Sequence, residues 1–300
     1  MTLRRLLALI VAVVSLVGCS TTTTPPDPTP TLAPSYLFSA SPTPIRVIYG
    51  PDDDNIGELY LPHDTADSMP VVVLVHGGGW LNEPDMSYFR PLARAIAERG
   101  IAVWNIEYRR ERADYRDTLA DVGDAVDILA TTVQEAAGGR LDLDRVHIAG
   151  HSAGGQLAAW AAGRHTLPAS APGAHPRVGL RSATIMAGVF DMARAANSEG
   201  DRFVPRFLGG FPDQVPDRYG VASPIGHLPI DVAVTAIHGD SDKTVSQTQS
   251  SNYVAAARAA GDRAQSIVLH GVGHNDFVDP DSLAWATTVD TIAAHARTTD

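Results

Sequence analysis

The stretch RVHIAGHSAGGQLAAW, residues 145–160, places a serine where it could act as a nucleophile. An apolar run rich in β-branched residues leads to Gly150, and an alanine-rich run of strong helix formers follows Gly154. Gly-x-Ser-x-Gly between a strand and a helix is the context of a nucleophile elbow, whose strained turn lifts the serine hydroxyl above the sheet. We therefore predict Ser152 as a nucleophile, and we expect a side chain at either flanking glycine to collide with neighbouring backbone.

A second glycine-rich motif, HGGGW, begins at His76 directly after the valine-rich run PVVVLV. Consecutive glycines let backbone amides approach a ligand closely, and amides in such a loop can hold the oxyanion that forms when a serine attacks a carbonyl. The amides of Gly78 and Gly79, joined by that of Ala153, are the expected oxyanion hole. We expect His76 to be a hydrogen-bonding structural residue, whereas Trp80 either lines the pocket or covers the loop.

A serine hydroxyl needs an imidazole to accept its proton and a carboxylate to orient that imidazole. Downstream of Ser152, the run HGDSD supplies Asp240 and Asp242, and the run HGVGH supplies His270 and His274. The chain order serine, acid, histidine is one in which catalytic triads occur. From the residues alone, either acid and either histidine could complete the triad.

Strands alternating with helices are predicted around these motifs, which indicates a doubly wound, mostly parallel α/β sheet. In such sheets functional groups gather at the carboxyl ends of the strands, where all of these motifs lie. The predicted strands are 45–50, 57–62, 70–75, 101–108, 145–150, 181–191, 232–240 and 264–271. The predicted helices are 87–100, 117–139, 153–163, 246–261 and 282–297.

From about residue 45 onward the chain resembles the α/β-hydrolases of the esterase and lipase group. The motifs that carry the resemblance are HGGGW, NIEYRR, GHSAGG, HGDSD and GVGH. By residue-wise comparison, the resemblance implies Asp242 as the acid and His274 as the base. Asp240 and His270 remain the fallback choices, the latter because it is expected to lie within the last strand.

The resemblance implies a serine hydrolase that cleaves a carboxylic ester through an acyl-enzyme. Its expected partner is a small-molecule ester, and no metal or cofactor is implied. One alternative is amide hydrolysis on the same triad, by an arylformamidase-like enzyme or a peptidase. Another is a non-catalytic lipoprotein that binds a ligand at the cell envelope.

Residues 191–229 form a long irregular stretch at the position where such hydrolases insert a cap. Trp80 and Phe207 are the candidates for the substrate pocket, and Phe203, Leu208 and Phe211 either line the same pocket or are ordinary packing residues. A long amphipathic helix, which a lipase lid would need, is not evident in this segment. A short-acyl preference is therefore expected.

The amino-terminal residues predict export and lipid attachment. Residues 1–18 combine two arginines with the apolar run LLALIVAVVSLVG, as in a signal peptide. LVGC resembles the lipobox of bacterial lipoproteins, so Cys19 is the expected lipidation site and the protein an expected membrane or envelope lipoprotein. The proline- and threonine-rich residues 19–44 are expected to be a tether, and the hydrolase domain is predicted over 45–300.

Composition excludes one class of partner. The formal net charge is -11, and Lys and Arg form no cluster along the chain. Phosphate backbones are bound by such clusters, so no nucleic-acid partner is expected. Cys19 is the sole cysteine in the sequence, so the domain after it must depend on its hydrophobic core and not on disulfides.

Overall fold

A computed structural model of the protein describes residues 43–63, 67–198 and 202–298. The predicted signal peptide, Cys19 and nearly all of the predicted tether lie outside these residues. Within the described part of the chain, no helix is both long enough and apolar enough to cross a membrane.

The centre of the fold is an eight-stranded sheet in the order β1-β2-β4-β3-β5-β6-β7-β8. Strand β2 is antiparallel to both of its neighbours, and the other strand pairs are all parallel. The predicted doubly wound, mostly parallel sheet is therefore confirmed. The strands are β1 Ile45–Ile48, β2 Ile56–Tyr60, β3 Met69–Val75, β4 Ala102–Ile106, β5 Leu141–His151, β6 Ser182–Met186, β7 Ala233–Gly239 and β8 Ala264–Leu269.

Helices cover both faces of the sheet, as expected when parallel strands are joined by crossover connections. Helices α1 and α9 pack on one face, and α2, α4 and α8 contribute to the hydrophobic core on the other. The described α-helices are α1 Arg90–Ala97, α2 Tyr115–Asp127, α3 Thr132–Ala136, α4 Ala153–Gly163, α5 Met192–Ala196, α6 Phe203–Leu208, α7 Pro216–Ala222, α8 Thr248–Ala260 and α9 Leu283–Arg297.

Strand β3 shows why its sequence lacks alternation. All of its residues are buried, because both faces of this central strand are covered. Val71, Val73 and Val75 belong to the core on one face, whereas Val72 and Leu74 belong to the core on the other. Successive side chains of any strand point to opposite faces of the sheet, and in β3 the side chains on both faces are apolar.

The predicted helix over 117–139 is wrong in its limits and its continuity. Helix α2 begins at Tyr115 because Asp114 caps it: the Asp114 carboxylate accepts the amide of Arg116 at 2.9 Å, and Asp117 accepts the amide of Asp114 at 3.3 Å. The helix ends at Asp127, and after one 3-10 turn the backbone of Thr131 leaves the helical region, with φ -131° and ψ -103°.

The parallel strands bring four loops to one edge of the sheet. The loops that follow β3, β5, β7 and β8 carry HGGGW, GHSAGG, HGDSD and HGVGH respectively. Because β3, β5, β6, β7 and β8 are neighbours in that order, motifs far apart in sequence meet at their carboxyl ends.

Candidate active site

Ser152 occupies the sharp turn between β5 and α4. Its backbone has φ 56° and ψ -120°, which lies outside the regions that non-glycine residues ordinarily adopt. The Ser152 amide donates to the carbonyl of Met186 at 2.9 Å, which holds the turn against β6. Strained backbone of this kind is found where a side chain is held for chemistry, as in a nucleophile elbow.

The glycines on either side of the elbow allow close backbone contacts. A Cβ built at Gly150 would lie 2.2 Å from the carbonyl oxygen of Gly154, and one at Gly154 would lie 2.2 Å from that of His76. Both distances are far inside van der Waals contact with backbone that cannot move aside. The collisions expected from the sequence are confirmed.

Asp242 and His274 are joined at the carboxyl edge of the sheet. The Nδ1 of His274 lies 2.7 Å from Oδ2 of Asp242, whose side chain is 0% exposed, and the His274 side chain is 11% exposed. The other carboxylate oxygen accepts the amides of Thr244 at 2.7 Å and Val245 at 2.9 Å. The acid is therefore held in one orientation and directs the Nε2 of His274 away from itself.

Burial by itself raises the pKa of the Asp242 carboxyl, but hydrogen bonds from His238 and His274 outweigh it and lower that pKa well below its ordinary value. His238, which the sequence analysis did not single out, is fully buried with its Nε2 3.3 Å from the same carboxylate oxygen. The spacing of His238 and Asp242 in the motif HGDSD was the available signal for this contact.

The fallback residues form a second pair with different surroundings. Nδ1 of His270 lies 2.8 Å from Oδ2 of Asp240, but these side chains are 89% and 41% exposed. Strand β8 ends at Leu269, so the expectation that His270 lies within the strand is wrong. Because hydrogen-bond length is similar in the two pairs, burial is what separates them.

His274 packs beside the elbow without a direct hydrogen bond to Ser152. Its ring lies 4.6 Å from that of His151, the residue before Ser152, and its carbonyl oxygen is 3.0 Å from Nε2 of His151. In the described part of the chain, no hydrogen bond joins the Ser152 hydroxyl to His274. Such contacts are often long in proteins without substrate and tighten when it binds.

The HGGGW loop begins against the elbow. A Cβ at Gly77 would lie 3.1 Å from Cβ of Ser152, so a side chain there would crowd the serine. Gly78 and Gly79 then take φ values of 116° and 64°, which only glycine adopts readily. The Ala153 amide, at the first position of α4, is one of the helix donors that lack an intrahelical acceptor.

Three aromatic side chains lie along the same loop. Trp80 is buried, stacks on Phe207 with ring centroids 4.7 Å apart, and donates from Nε1 to Gln156 at 3.1 Å. These contacts hold Trp80 over the loop. The ring of Phe203 lies against Gly79, since a Cβ there would be 2.7 Å from Cδ1 of Phe203.

The segment 191–229 is built from short helices in its described part, namely α5, α6, α7 and a 3-10 turn at Pro224–His227. It is attached to α4, the helix that follows Ser152. Gln156 donates to the carbonyl of Ala222 at 2.8 Å, and Trp160 donates to that of Val221 at 3.1 Å. The segment therefore lies next to the elbow, with α6 supplying Phe203 and Phe207.

The NIEYRR motif supports the HGGGW loop. The Nε2 of His76 lies 2.7 Å from the carboxylate of Glu107, which also accepts the amide of Met86 at 3.0 Å. Arg110 donates to the carbonyls of Leu81 and Asn82, both at 2.7 Å. These contacts agree with the structural role expected for His76.

The sheet and the elbow at its carboxyl edge define an α/β-hydrolase fold. The chain belongs to the BD-FAE family, whose model matches residues 58–256. The predicted membership of an α/β-hydrolase serine esterase family is confirmed by this match together with the relatives and structures below.

Two curated relatives are esterases by name. A probable isoprenylcysteine alpha-carbonyl methylesterase from Oryza sativa subsp. japonica is 26% identical over 270 residues, which cover 83% of this chain and 62% of that protein. Esterase LipQ from Mycobacterium tuberculosis is 29% identical over 225 residues, covering 71% of this chain and 52% of the relative. The chain thus spans about three fifths of the first relative and half of the second.

Solved structures share the fold over most of the described chain. A truncated carbohydrate esterase from gut microbiota has a TM-score of 0.72 and 21% identity, covering 87% of this chain and 99% of its own. An esterase from Thermogutta terrifontis, solved with propionate bound, has a TM-score of 0.66 and 25% identity, covering 84% and 93%. The chain therefore shares its fold with solved esterases.

Proposed function

We propose that the protein is a serine hydrolase that cleaves small carboxylic esters, with Ser152, His274 and Asp242 as its triad. The observation that carries the proposal is the buried hydrogen bond between Asp242 and His274, beside a serine in strained elbow geometry. The relatives named as esterases support the same class of reaction. A pure binding protein has no need for this combination.

The reaction proceeds in two halves. Nε2 of His274 removes the Ser152 proton as Oγ bonds to the ester carbonyl carbon, and the carbonyl oxygen becomes an oxyanion held by the amides of Gly78, Gly79 and Ala153. The bond from carbon to the alcohol oxygen then breaks, and His274 protonates the departing alcohol. Water, deprotonated by the same imidazole, attacks the acyl carbon. The bond from that carbon to Oγ of Ser152 breaks, His274 returns the proton to Oγ, and the acid is released.

Asp242 fixes the tautomer that this chemistry needs. A carboxylate can only accept, so Nδ1 of His274 carries the hydrogen toward it and Nε2 keeps its lone pair for the serine proton. The low pKa of Asp242 keeps the carboxylate ionised, and its charge stabilises the imidazolium that forms during the attack.

The competing activity is amide hydrolysis on the same triad. Turnover of p-nitrophenyl acetate and of N-formylkynurenine by the full-length protein distinguishes the two. We expect kcat/KM to be higher for the ester. A higher kcat/KM for the formamide would identify an amidase. If neither substrate is turned over and a fluorophosphonate labels no residue, the protein would be a binding protein without this activity.

We expect kcat/KM to stop increasing at a short acyl chain. Each methylene of the acyl chain adds about 0.8 kcal/mol to the free energy of binding only while the pocket can bury that methylene. The 47% exposed Phe203 ring, placed on Gly79, narrows the space beside the oxyanion loop. We expect kcat/KM on p-nitrophenyl esters to peak at about two to six acyl carbons, by the same burial argument, which agrees with the propionate bound to the Thermogutta esterase.

The matched variant for acyl length is Phe203→Ala, which should move the peak toward longer chains. A Phe211→Ala variant, on the exposed turn after α6, is the control and should leave the profile unchanged. Activity that rises steadily to palmitate, with activation at an emulsion surface, would indicate a lipase instead.

Export and lipid attachment at Cys19 are proposed from the sequence alone. We expect the protein to partition with membranes when expressed in a bacterium that processes lipoproteins, and Cys19→Ala to remain unlipidated. A single acyl chain binds a membrane only weakly, whereas two or three acyl chains on one residue are enough for stable anchoring. Mass spectrometry of the mature amino terminus is the measurement, and an unmodified terminus at another residue would contradict the proposal.

A further inference from the structure

The middle residue of the elbow motif, His151, is buried and bonded on both sides. Its Nε2 lies 3.0 Å from the backbone carbonyl oxygen of His274, and its ring packs on His274 and, at 5.8 Å, on Phe277. On the other side, Nδ1 of His151 lies 3.5 Å from the hydroxyl oxygen of Tyr88. His151 thus contacts the loop after β8, which carries His274, and Tyr88, which bonds to the HGGGW loop at residues 76–80, here called the oxyanion loop.

Tyr88 holds the start of the oxyanion loop. The Gly77 amide donates to the Tyr88 hydroxyl at 2.5 Å, and the same hydroxyl would lie 2.9 Å from a Cβ at Gly77. Burial raises the pKa of Tyr88, so the phenol keeps its proton. Its oxygen accepts from Gly77, and its hydrogen is available for another acceptor.

The direction of each hydrogen bond follows from the partners. A carbonyl oxygen can only accept, so Nε2 of His151 carries the hydrogen that is donated to His274. In a neutral imidazole the other nitrogen is an acceptor, and Nδ1 faces the Tyr88 hydroxyl oxygen at 3.5 Å, which is the longest contact in the series. The chain runs from the Gly77 amide through Tyr88 and His151 to the backbone of His274, with each donor matched to an acceptor.

His151 is suited to this position because it stays neutral. Burial, followed by the effect of His274, lowers the pKa of His151 to about 3. A positive charge 4.6 Å from the ring of His274 would oppose the imidazolium that forms during serine attack. A neutral ring can position His274 without that penalty.

We propose that His151, with Tyr88, is a positioning residue that aligns the catalytic histidine with the oxyanion loop through one chain of hydrogen bonds. The proposal rests on the proposed function, since it assigns His274 as the base. It explains why an imidazole, and not a smaller residue, precedes the nucleophile. The step that His151 affects is serine attack, through the placement of His274.

Two substitutions separate the hydrogen bond from the packing of the ring. His151→Phe keeps an aromatic ring against His274 and Phe277 but has no N–H, whereas His151→Gln has an amide N–H that can reach the same carbonyl. We expect His151→Phe to lower kcat for p-nitrophenyl acetate about 10- to 100-fold, with KM little changed, because small misplacements of a catalytic group have effects of this size. His151→Gln should recover most of the loss.

A spectroscopic readout needs no turnover. The proton on Nδ1 of His274, in a charge-assisted bond to Asp242, gives a low-field proton resonance that Asp242→Asn should abolish. We expect this resonance to shift or exchange faster in His151→Phe and to stay near its wild-type position in His151→Gln. This result would stand even if the natural reaction were not ester hydrolysis, so it separates the two proposals.

Tyr88→Phe is a second variant that removes one hydroxyl and leaves the packing intact. It leaves the Gly77 amide without its acceptor, and we expect kcat to fall about tenfold by loosening the oxyanion loop. Tyr253→Phe is the matched control, because the Tyr253 hydroxyl is buried and has no hydrogen-bond partner among the described residues. It should retain wild-type kcat.

Three outcomes would overturn the proposal. The first is a His151→Phe variant with wild-type kcat and an unchanged low-field resonance. The second is an equal loss of kcat in His151→Phe and His151→Gln, which would show that an N–H donor at this position does not restore the placement of His274. The third is a Tyr88→Phe variant that behaves like Tyr253→Phe.

Discussion

Ser152→Ala is expected to lower kcat/KM for p-nitrophenyl acetate by about 10⁴ to 10⁶, the range found when the nucleophile of a triad is removed. The folded state should persist, because the hydroxyl makes no hydrogen bond within the described part of the chain and alanine retains the Cβ at φ 56°. Initial rates and thermal melting of the purified full-length variant are the measurements.

The control for this prediction is Ser241→Ala, in the loop that follows β7 and carries Asp240 and Asp242. Its hydroxyl is exposed and donates to Asp240 at 3.2 Å, so near wild-type kcat/KM is expected. A fluorophosphonate should label Ser152 in the wild-type protein and nothing in Ser152→Ala. Labelling of a different serine would show that the elbow is not the source of the nucleophile.

The second large effect is expected at the buried acid and base. Asp242→Asn and His274→Ala should each lower kcat by about 10³ to 10⁵, because the imidazole loses its charged partner or is removed altogether. Asp242 has a pKa below its ordinary value of about 3.9, so this carboxylate is ionised at neutral and mildly acidic pH. The loss in Asp242→Asn should therefore persist across that range.

The neighbouring pair Asp240 and His270 provides a control of matched chemistry. Asp240→Asn and His270→Ala break a hydrogen bond of 2.8 Å, close in length to the bond between Asp242 and His274. Since both side chains are exposed, their hydrogen bond contributes little to the folded structure, and we expect kcat to stay within about threefold of wild type. A larger loss in Asp240→Asn than in Asp242→Asn would reassign the acid.

Both large predictions concern residues that are identifiable in the sequence, and local signals explain why. The elbow can be recognised from residues that are neighbours in sequence. A β-branched run predicts the strand, the glycines around Ser152 predict the turn, and an alanine-rich run of helix formers predicts the helix. Each of the eight strands overlaps a predicted strand, although β5 begins earlier, at Leu141, and β6 ends earlier, at Met186. Parallel topology then follows from the alternation of strands and helices.

The sequence predicts the limits of a helix or strand less well where those limits depend on tertiary packing. The break after α2 occurs in a sequence whose propensities would allow the helix to continue, whereas β8 ends at Leu269, two residues before Gly271 with φ 75°. Tertiary contacts can override local propensities, and they do so most often at the first and last residues of a helix or strand. His270 consequently lies beyond its strand and in solvent.

Sequence alone determined the identity of the motifs, their order and the edge of the sheet where they gather, because each depends on residue type and local backbone preference. Tertiary structure distinguishes the surroundings of Asp242 from those of Asp240, since burial and the contact with His238 arise from strands and loops that meet only in the folded chain. It likewise stacked Trp80 on Phe207 and linked Gly77 to His274 through Tyr88 and His151. Hydrogen bonds and burial between residues far apart in sequence depend on three-dimensional distance, which no local pattern of residues encodes.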